Sequence, residues 1–318
     1  MNIRVESGNL TKTPDHGLFT TVDQFMKSLT QFFFFIYLLT AHFLCFNPVH
    51  AKDIPPVFES LAKRLQMDGM DEQYLQDLFT RPELKLMPQA VAKSLVRKEA
   101  NLNYAQFLEK DSVDRAISCL KTHMEILKKT ESHFSVSAPV VVAILSIETL
   151  CGTYTGGFDT LNILVTQTLS LEPGVYPQVY DQIPVDEKLN LTAQEIKKRL
   201  ARKSIRAYRE LKALLIYVRD QDIDPFSVKG SIEGAIGLPQ FLPSNIERYG
   251  WDGNGDGKID LFQPGDAIPS IASYLKAYNW REDNNYTRKK EIILAYNPSD
   301  YYATTVLKLA ETLADYWH

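Results

Sequence analysis

Apolar residues recur at three- and four-residue spacing along most of the chain, and runs of β-branched residues alternating at period two are few. The pattern predicts a mainly α protein with a minor β contribution, of α+β type. Asp111 to Phe134 reads as one long amphipathic helix, with Val113, Ile117, Leu120, Met124 and Leu127 on one stripe. Pro139 suits the first turn of a second helix, APVVVAILSIETLCG, which Gly152 should end in the left-handed cap position. Thr192-x-x-Glu195 is a capping box that opens another long helix, running to about Asp220. Helical spacing stops in a glycine-rich stretch over 230–265, then resumes at Ala267 to Tyr278 and from Tyr301 to the end. No internal repeat or low-complexity linker divides the chain. Residues 52–102 read as a small N-terminal helical region packed on an α-rich domain spanning 103–318.

The front of the chain carries a different signal. Phe32 to Phe46 is an uncharged run of 15 residues, followed by Val49-His50-Ala51. A membrane span needs about 20 apolar residues, whereas a hydrophobic stretch of roughly 7–15 ending in small-x-small suits signal peptidase. Residues 1–51 are therefore expected to be a signal peptide, with Met26-Lys27 supplying a start of ordinary length; an uncleaved anchor is the alternative. The mature chain would retain Cys119 and Cys151, both expected on helices, as two free thiols or as a bridge.

Composition narrows the chemistry. With 35 Lys and Arg against 39 Asp and Glu, the net charge of −4 provides no basic field for nucleic acid. Loss of residues 1–51 removes three charges of each sign and leaves that balance unchanged. Three Cys and six scattered His build no zinc site. Eight of the 15 glycines, however, fall between Gly230 and Gly265.

Glu148 is the single acid between Ala138 and Phe158, one turn before Gly152, on a helix apolar on most sides. Desolvation and the negative end of the helix dipole both favour its protonated form. A carboxyl protonated near neutral pH can give a proton to a leaving oxygen, the role of the acid in glycoside cleavage. The bland alternative is a surface Glu on an apolar helix.

The glycine cluster resolves into two motifs. In Gly230-Ser231-Ile232-Glu233-Gly234-Ala235-Ile236-Gly237-Leu238-Pro239-Gln240, the glycines allow close backbone approach, and Ser231 and Gln240 offer uncharged hydrogen-bonding groups suited to a neutral, hydroxyl-rich ligand; a tight packing loop is the other reading. No P-loop lysine is present. In Asp252-Gly-Asn254-Gly-Asp256-Gly257-Lys258-Ile259-Asp260, oxygen side chains at positions 1, 3, 5 and 9 and Gly at 6 match an EF-hand-like calcium loop. Position 12 is Gln263 in place of the bidentate Glu, and Asp266 is near enough to close the shell; an ion-free Asp/Gly turn is the alternative.

Taken in order, IETxxG, GSxxGAxGLPQFxPS, DxNGDGxIDL with PxDAIxSxAxYL close behind, and AYNPS resemble the membrane-bound lytic murein transglycosylase B family, from about Asn103 to the C-terminus. The resemblance implies a lysozyme-like domain with an inserted calcium loop beside its substrate groove. It implies Glu148 as the sole catalytic acid/base, and Ser231, Gln240, Tyr296, Asn297 and, by a looser alignment, Tyr104 as substrate-binding residues. It further implies structural Ca2+ on Asp252, Asn254, Asp256, the Lys258 carbonyl and Asp266, with no organic cofactor. The implied partner is the peptidoglycan glycan strand, bound by a periplasmic monomer that a cell-wall synthesis or secretion complex could recruit. The chain departs from the family at Leu150 and Cys151, where Arg and an aromatic are common, and at Glu233, usually apolar or small; Arg202 and Lys203 resemble a basic pair. Two competing readings are a muramidase-type hydrolase and a non-catalytic wall-binding protein of the same fold.

Overall fold

The computed structural model describes residues 53–97 and 103–317. The signal-peptide segment, its Val49-x-Ala51 site and Cys45 lie outside the described residues.

Three short helices lead: α1 (Pro56–Met67), α2 (Glu72–Phe79) and α3 (Pro88–Val96). A 3₁₀ turn (Tyr104–Leu108) precedes α4 (Lys110–Thr122) and α5 (Met124–Phe134). The single helix expected over 111–134 is thus two, because His123 leaves helical geometry at φ −107° and ψ 19°. Met124, placed on the apolar stripe by spacing, is 39% exposed, and the buried face turns at this break.

The chain then enters α6 (Ala138–Thr149) with Pro139 in its first turn, as the spacing predicts. Ten of its twelve residues are buried, and it packs against α4, α5, α12 and α14. Each buried Val, Ile or Leu contributes about 1.5–3 kcal/mol, so the core fixes this helix and with it the direction of Glu148. Its end differs from expectation. Leu150, not Gly152, takes the left-handed cap position, and Leu150, Cys151 and Gly152 follow one another at φ 51°, 57° and 86°. Left-handed backbone costs about 1–2 kcal/mol at each non-glycine residue. Offsetting this, Cys151 N–H donates to the Leu145 carbonyl at 3.1 Å and Gly152 N–H to Thr149 Oγ1 at 3.0 Å. Cys151 consequently lies in a turn and not on a helix.

Strand β1 (Phe158–Asp159) pairs antiparallel with β2 (Lys229–Gly230). Between them lie α7 (Thr160–Thr168), the short α8 (Tyr176–Asp181) and α9 (Val185–Asn190), and the long α10 (Ala193–Asp220), whose Thr192 and Glu195 form the predicted capping box. Helices α11 (Pro243–Tyr249), α12 (Pro264–Ala277), α13 (Tyr286–Tyr296) and α14 (Asp300–Ala314) complete the order. One contiguous core runs from Phe58 in α1 to Leu313 in α14, so the N-terminal helices share the core of the rest. Among the described residues no single helix is long and apolar enough to cross a membrane.

Candidate active site

Three of the sequence-predicted residues converge. A cavity of about 490 Å³ is lined by Glu148 from the end of α6, by Ser231 and Gln240 from the glycine loop, and by Lys93, Val96 and Arg97 from α3 and its end. Among the described residues that line it, Glu148 is the only carboxylate.

The carboxylate is held from behind. Tyr302, on α14 and 1% exposed, donates its hydroxyl hydrogen to Glu148 Oε1 at 2.7 Å. Burial and then the Glu148 charge raise the Tyr302 phenol well above its ordinary value, so it remains a donor. Tyr296, at the end of α13, is raised for the same two reasons and donates to the Pro239 carbonyl, bracing the glycine loop. Tyr104 meets Tyr302 edge-on, with ring centroids 6.1 Å apart. Tyr296 and Tyr104 therefore stand behind the acid, in contact with its supports, and do not line the cavity. Asn297 caps the C-terminus of α13 and is not among the lining residues either.

Sequence reasoning missed Tyr302. The signal was present: Tyr302, Val306, Leu309 and Leu313 share one face of α14 and are all buried. Most buried tyrosine hydroxyls find a hydrogen-bond partner.

The loop opposite Glu148 is built for neutral hydrogen bonding. Ser231 Oγ accepts from the Glu233 and Ala235 N–H groups at 3.3 and 3.1 Å, which leaves its O–H to donate. The Gln240 amide nitrogen donates to the Thr155 and Gly237 carbonyls, both at 2.9 Å, which leaves its oxygen to accept. The two residues present one donor and one acceptor. Gly237 is obligatory here: at φ 71°, a Cβ would lie 2.5 Å from Leu261 Cβ and 2.6 Å from the Leu261 carbonyl oxygen.

Glu233 does not supply a second acid to the cavity. Its carboxylate turns away and accepts from Lys203 Nζ at 2.8 Å on each oxygen, from Ser94 Oγ at 2.6 Å, and from Arg206. Burial alone would raise Glu233; the Lys203 and Arg206 charges prevail and hold it below the usual carboxylate value. Lys203 is thereby paired, while Arg202 is exposed.

In the 252–266 loop, Gly255 and Gly257 are left-handed at φ 77° and 83°. Its oxygens face inward onto backbone N–H groups: Asp252 Oδ1 and Oδ2 accept from Gly255 and Gly257 at 2.6 and 2.8 Å, and Asp256 Oδ1 accepts from Lys258 at 2.8 Å. Asn254 Oδ1 accepts from Asp256 N–H at 2.9 Å. Asp266, fully buried, accepts from Gly253 and Asp260 at 3.0 and 2.7 Å. Among the described residues no three His, Cys, Asp or Glu side chains gather closely enough to hold an ion. The donor set itself, hard oxygens at the spacing of a calcium loop, fits that cation.

Residues 54–291 match the model of the transglycosylase SLT domain. The chain belongs to this family. Within the family it is 27% identical over 237 residues to membrane-bound lytic murein transglycosylase B of Escherichia coli K12, an alignment covering 71% of this chain and 58% of that relative. The fold is shared with soluble lytic transglycosylase SltB1 of Pseudomonas aeruginosa, at TM-score 0.65 and 23% identity, covering 82% of this chain and 99% of the other. It is shared equally with the E. coli lytic transglycosylase Slt35 in complex with calcium, at TM-score 0.63 and 20% identity over 81% and 93% of the two chains. P. aeruginosa SltB3 in complex with NAG-anhNAM-pentapeptide matches at TM-score 0.63 and 21% identity, over 82% and 80%. The family resemblance read from the motifs therefore holds, as does the mainly helical, lysozyme-like fold it implied.

Proposed function

We propose that this protein is a lytic transglycosylase that cleaves the β-1,4 bond between N-acetylmuramic acid and N-acetylglucosamine in peptidoglycan, without water. The observation that carries the reading is the isolation of Glu148. A glycoside hydrolase of either stereochemistry usually places two carboxylates across the bond, and among the described residues the cavity has one, the nearby Glu233 being ion-paired. One acid is sufficient when the substrate supplies the rest. Glu148 gives its proton to the glycosidic oxygen, and the acetamido carbonyl of the muramyl residue stabilises C1. Glu148 then takes the proton of the C6 hydroxyl as that oxygen attacks C1, which closes the 1,6-anhydro ring and restores the acid.

The loop chemistry agrees with this substrate. The Ser231 donor and Gln240 acceptor match the acetamido and hydroxyl groups of an uncharged sugar, and neither needs a charge on the ligand. Tyr302 is a positioning residue that holds one oxygen of Glu148, and Tyr296 positions the glycine loop. The solved complex of SltB3 with a muramyl pentapeptide supports the same substrate class. The apolar run over 32–46 supports action in the periplasm after cleavage at 49–51.

The reading extends to structural Ca2+ on Asp252, Asn254, Asp256, the Lys258 carbonyl and Asp266. Asn254 and Asp256 are exposed and Asp252 half-buried, so the side chains can rotate from backbone N–H groups to an ion at small cost. The calcium complex of Slt35 is the supporting relative. When bound, the ion closes the loop and takes no part in the chemistry.

Glu148→Gln tests the assignment: clearing of a cell-wall suspension should be lost while the far-ultraviolet spectrum is kept. Mass spectrometry of digested wall separates the mechanisms, since anhydromuramyl ends support transglycosylation and reducing ends would establish a muramidase. Wild-type clearing by Glu148→Gln would overturn Glu148 as the acid, and failure of the unaltered protein to clear the wall would leave the wall-binding reading.

A further inference from the structure

Two walls of the cavity are tied together from behind. One wall is α3: Lys93, Val96 and Arg97 line the cavity with Glu148, and Lys93 also lines a neighbouring cavity of about 690 Å³. The other wall is the glycine loop, which presents Ser231, Ile232 and Gln240. Between Lys93 and Val96, Ser94 turns inward and is buried with Val91 and Leu95. Its hydroxyl accepts from Lys203 Nζ at 2.6 Å and donates to Glu233 Oε1 at 2.6 Å. Lys203 Nζ donates in turn to both Glu233 oxygens at 2.8 Å, and Arg206 adds a further bond to Oε2. Three side chains, from α3, α10 and the loop, thus close one ring of hydrogen bonds. Ser94, Lys203 and Glu233 are not among the residues lining the cavity.

The ring reaches the cavity on both sides through short stretches of backbone. Glu233 N–H donates to Ser231 Oγ at 3.3 Å, one of the two bonds that leave the Ser231 hydroxyl as a donor. On the other side, Val96 and Arg97 follow Ser94 by two and three residues at the end of α3. The start of α3 is held separately, by Met87 N–H donating to Thr166 Oγ1 at 2.9 Å. A buried ion pair adds little to stability compared with well-packed apolar side chains, whereas three partners with fixed directions set the spacing of the elements that carry them.

We propose that Ser94, Lys203 and Glu233 are positioning residues for the glycan: they clamp the α3 wall at a fixed distance from the glycine loop and so set the affinity of the cavity, with no contact to the sugar and no part in proton transfer. The identity of the ligand rests on the transglycosylase reading above. With the clamp closed, the glycan meets preformed walls; without it, part of the binding energy goes into ordering them. The loss falls on affinity, because Glu148 and its Tyr302 support stand on α6 and α14, which carry no member of the ring.

The experiment is steady-state kinetics of the full chain on purified glycan strands for Ser94→Ala, Glu233→Gln and the double variant. Alongside it, calorimetry in the Glu148→Gln background measures the dissociation constant of a peptide-free NAG–NAM tetrasaccharide. Ser94→Ala removes one hydroxyl and leaves Glu233 paired with Lys203 and Arg206, so the fold is kept, which melting curves check. In Ser94→Ala, KM and the dissociation constant should both rise about 5–10-fold, with kcat little changed. The double variant should be no worse than the worse single one, because both substitutions break the same ring. Unmoved KM and dissociation constant with a lowered melting temperature, a loss in kcat in place of KM, or additive effects of the two substitutions would each overturn the proposal. Absence of turnover by the unaltered chain would overturn the reaction, and the dissociation constants would still decide the clamp.

Discussion

The hydroxyl of Tyr302 on α14 and the carboxylate of Glu148 on α6 are joined by a 2.7 Å hydrogen bond formed away from the cavity-lining surface. A hydrogen bond to a charged group is worth about 1.5–3 kcal/mol, and each 1.36 kcal/mol of barrier is about tenfold in rate. Tyr302→Phe should therefore lower kcat about 10–100-fold with KM little changed, because Tyr302 does not line the cavity. Steady-state kinetics on purified glycan strands measure the split, and a KM effect alone would place Tyr302 in substrate binding.

Glu233 links acid stability to the glycine loop. Because Lys203 and Arg206 hold it below its usual value, its ionised form favours the folded chain. That contribution is complete above about pH 4.3, the ordinary glutamate value, and is lost as the pH falls through the lowered one. Glu233→Gln should flatten the acid side of the stability profile. Glu233→Ala, which leaves Lys203 unpaired at 18% side-chain exposure, should cost roughly 2–3 kcal/mol, somewhat less than for a fully buried pair. Urea denaturation at several pH values reads both effects.

Gly237→Ala adds a methyl group where the Leu261 backbone and side chain already stand. The left-handed backbone contributes about 1–2 kcal/mol of strain, and the contact adds to it. A fall in melting temperature together with a raised KM is expected, since the displaced loop carries Ser231 and Gln240. Unchanged stability would mean that the loop and the 252–266 turn do not meet as described.

For calcium, chelated protein should melt higher on adding Ca2+. At a concentration about 100 times the dissociation constant the gain is about 2.7 kcal/mol, and Mg2+ should give less. Asp256→Ala should abolish the rise with little effect on the ion-free protein, since Asp256 is exposed. Differential scanning calorimetry with and without chelator decides the matter.

Much of the site was legible because its residues break local rules: an acid on the apolar α6, and glycines packed into one stretch. The supports were harder to read. Tyr302 looks like any helical aromatic until its buried face is known. α7 escaped notice because TLNILVTQT mixes β-branched and polar residues, yet all nine are buried. Two of its polar side chains bond across elements: Asn162 bonds the Lys85 and Glu83 backbone, and the Gln167 amide nitrogen donates to the Ile232 carbonyl. Such long-range pairing leaves no local signature. The end of α6 was misread for a related reason, since glycine preference points to Gly152 while tertiary contacts place Leu150 and Cys151 in left-handed geometry first.

The Ser94–Glu233 hydrogen bond has a consequence for how this protein can be cut. A fragment starting at Asn103 would keep every recognisable motif, from IETxxG to AYNPS. It would also lose one wall of the cavity, uncover the core faces against which Phe58, Val91 and Leu95 pack, and leave Lys203 and Arg206 to hold Glu233 without its hydroxyl partner. The recognisable part is shorter than the part that builds the cavity, and minimal versions of this protein should begin no later than α1.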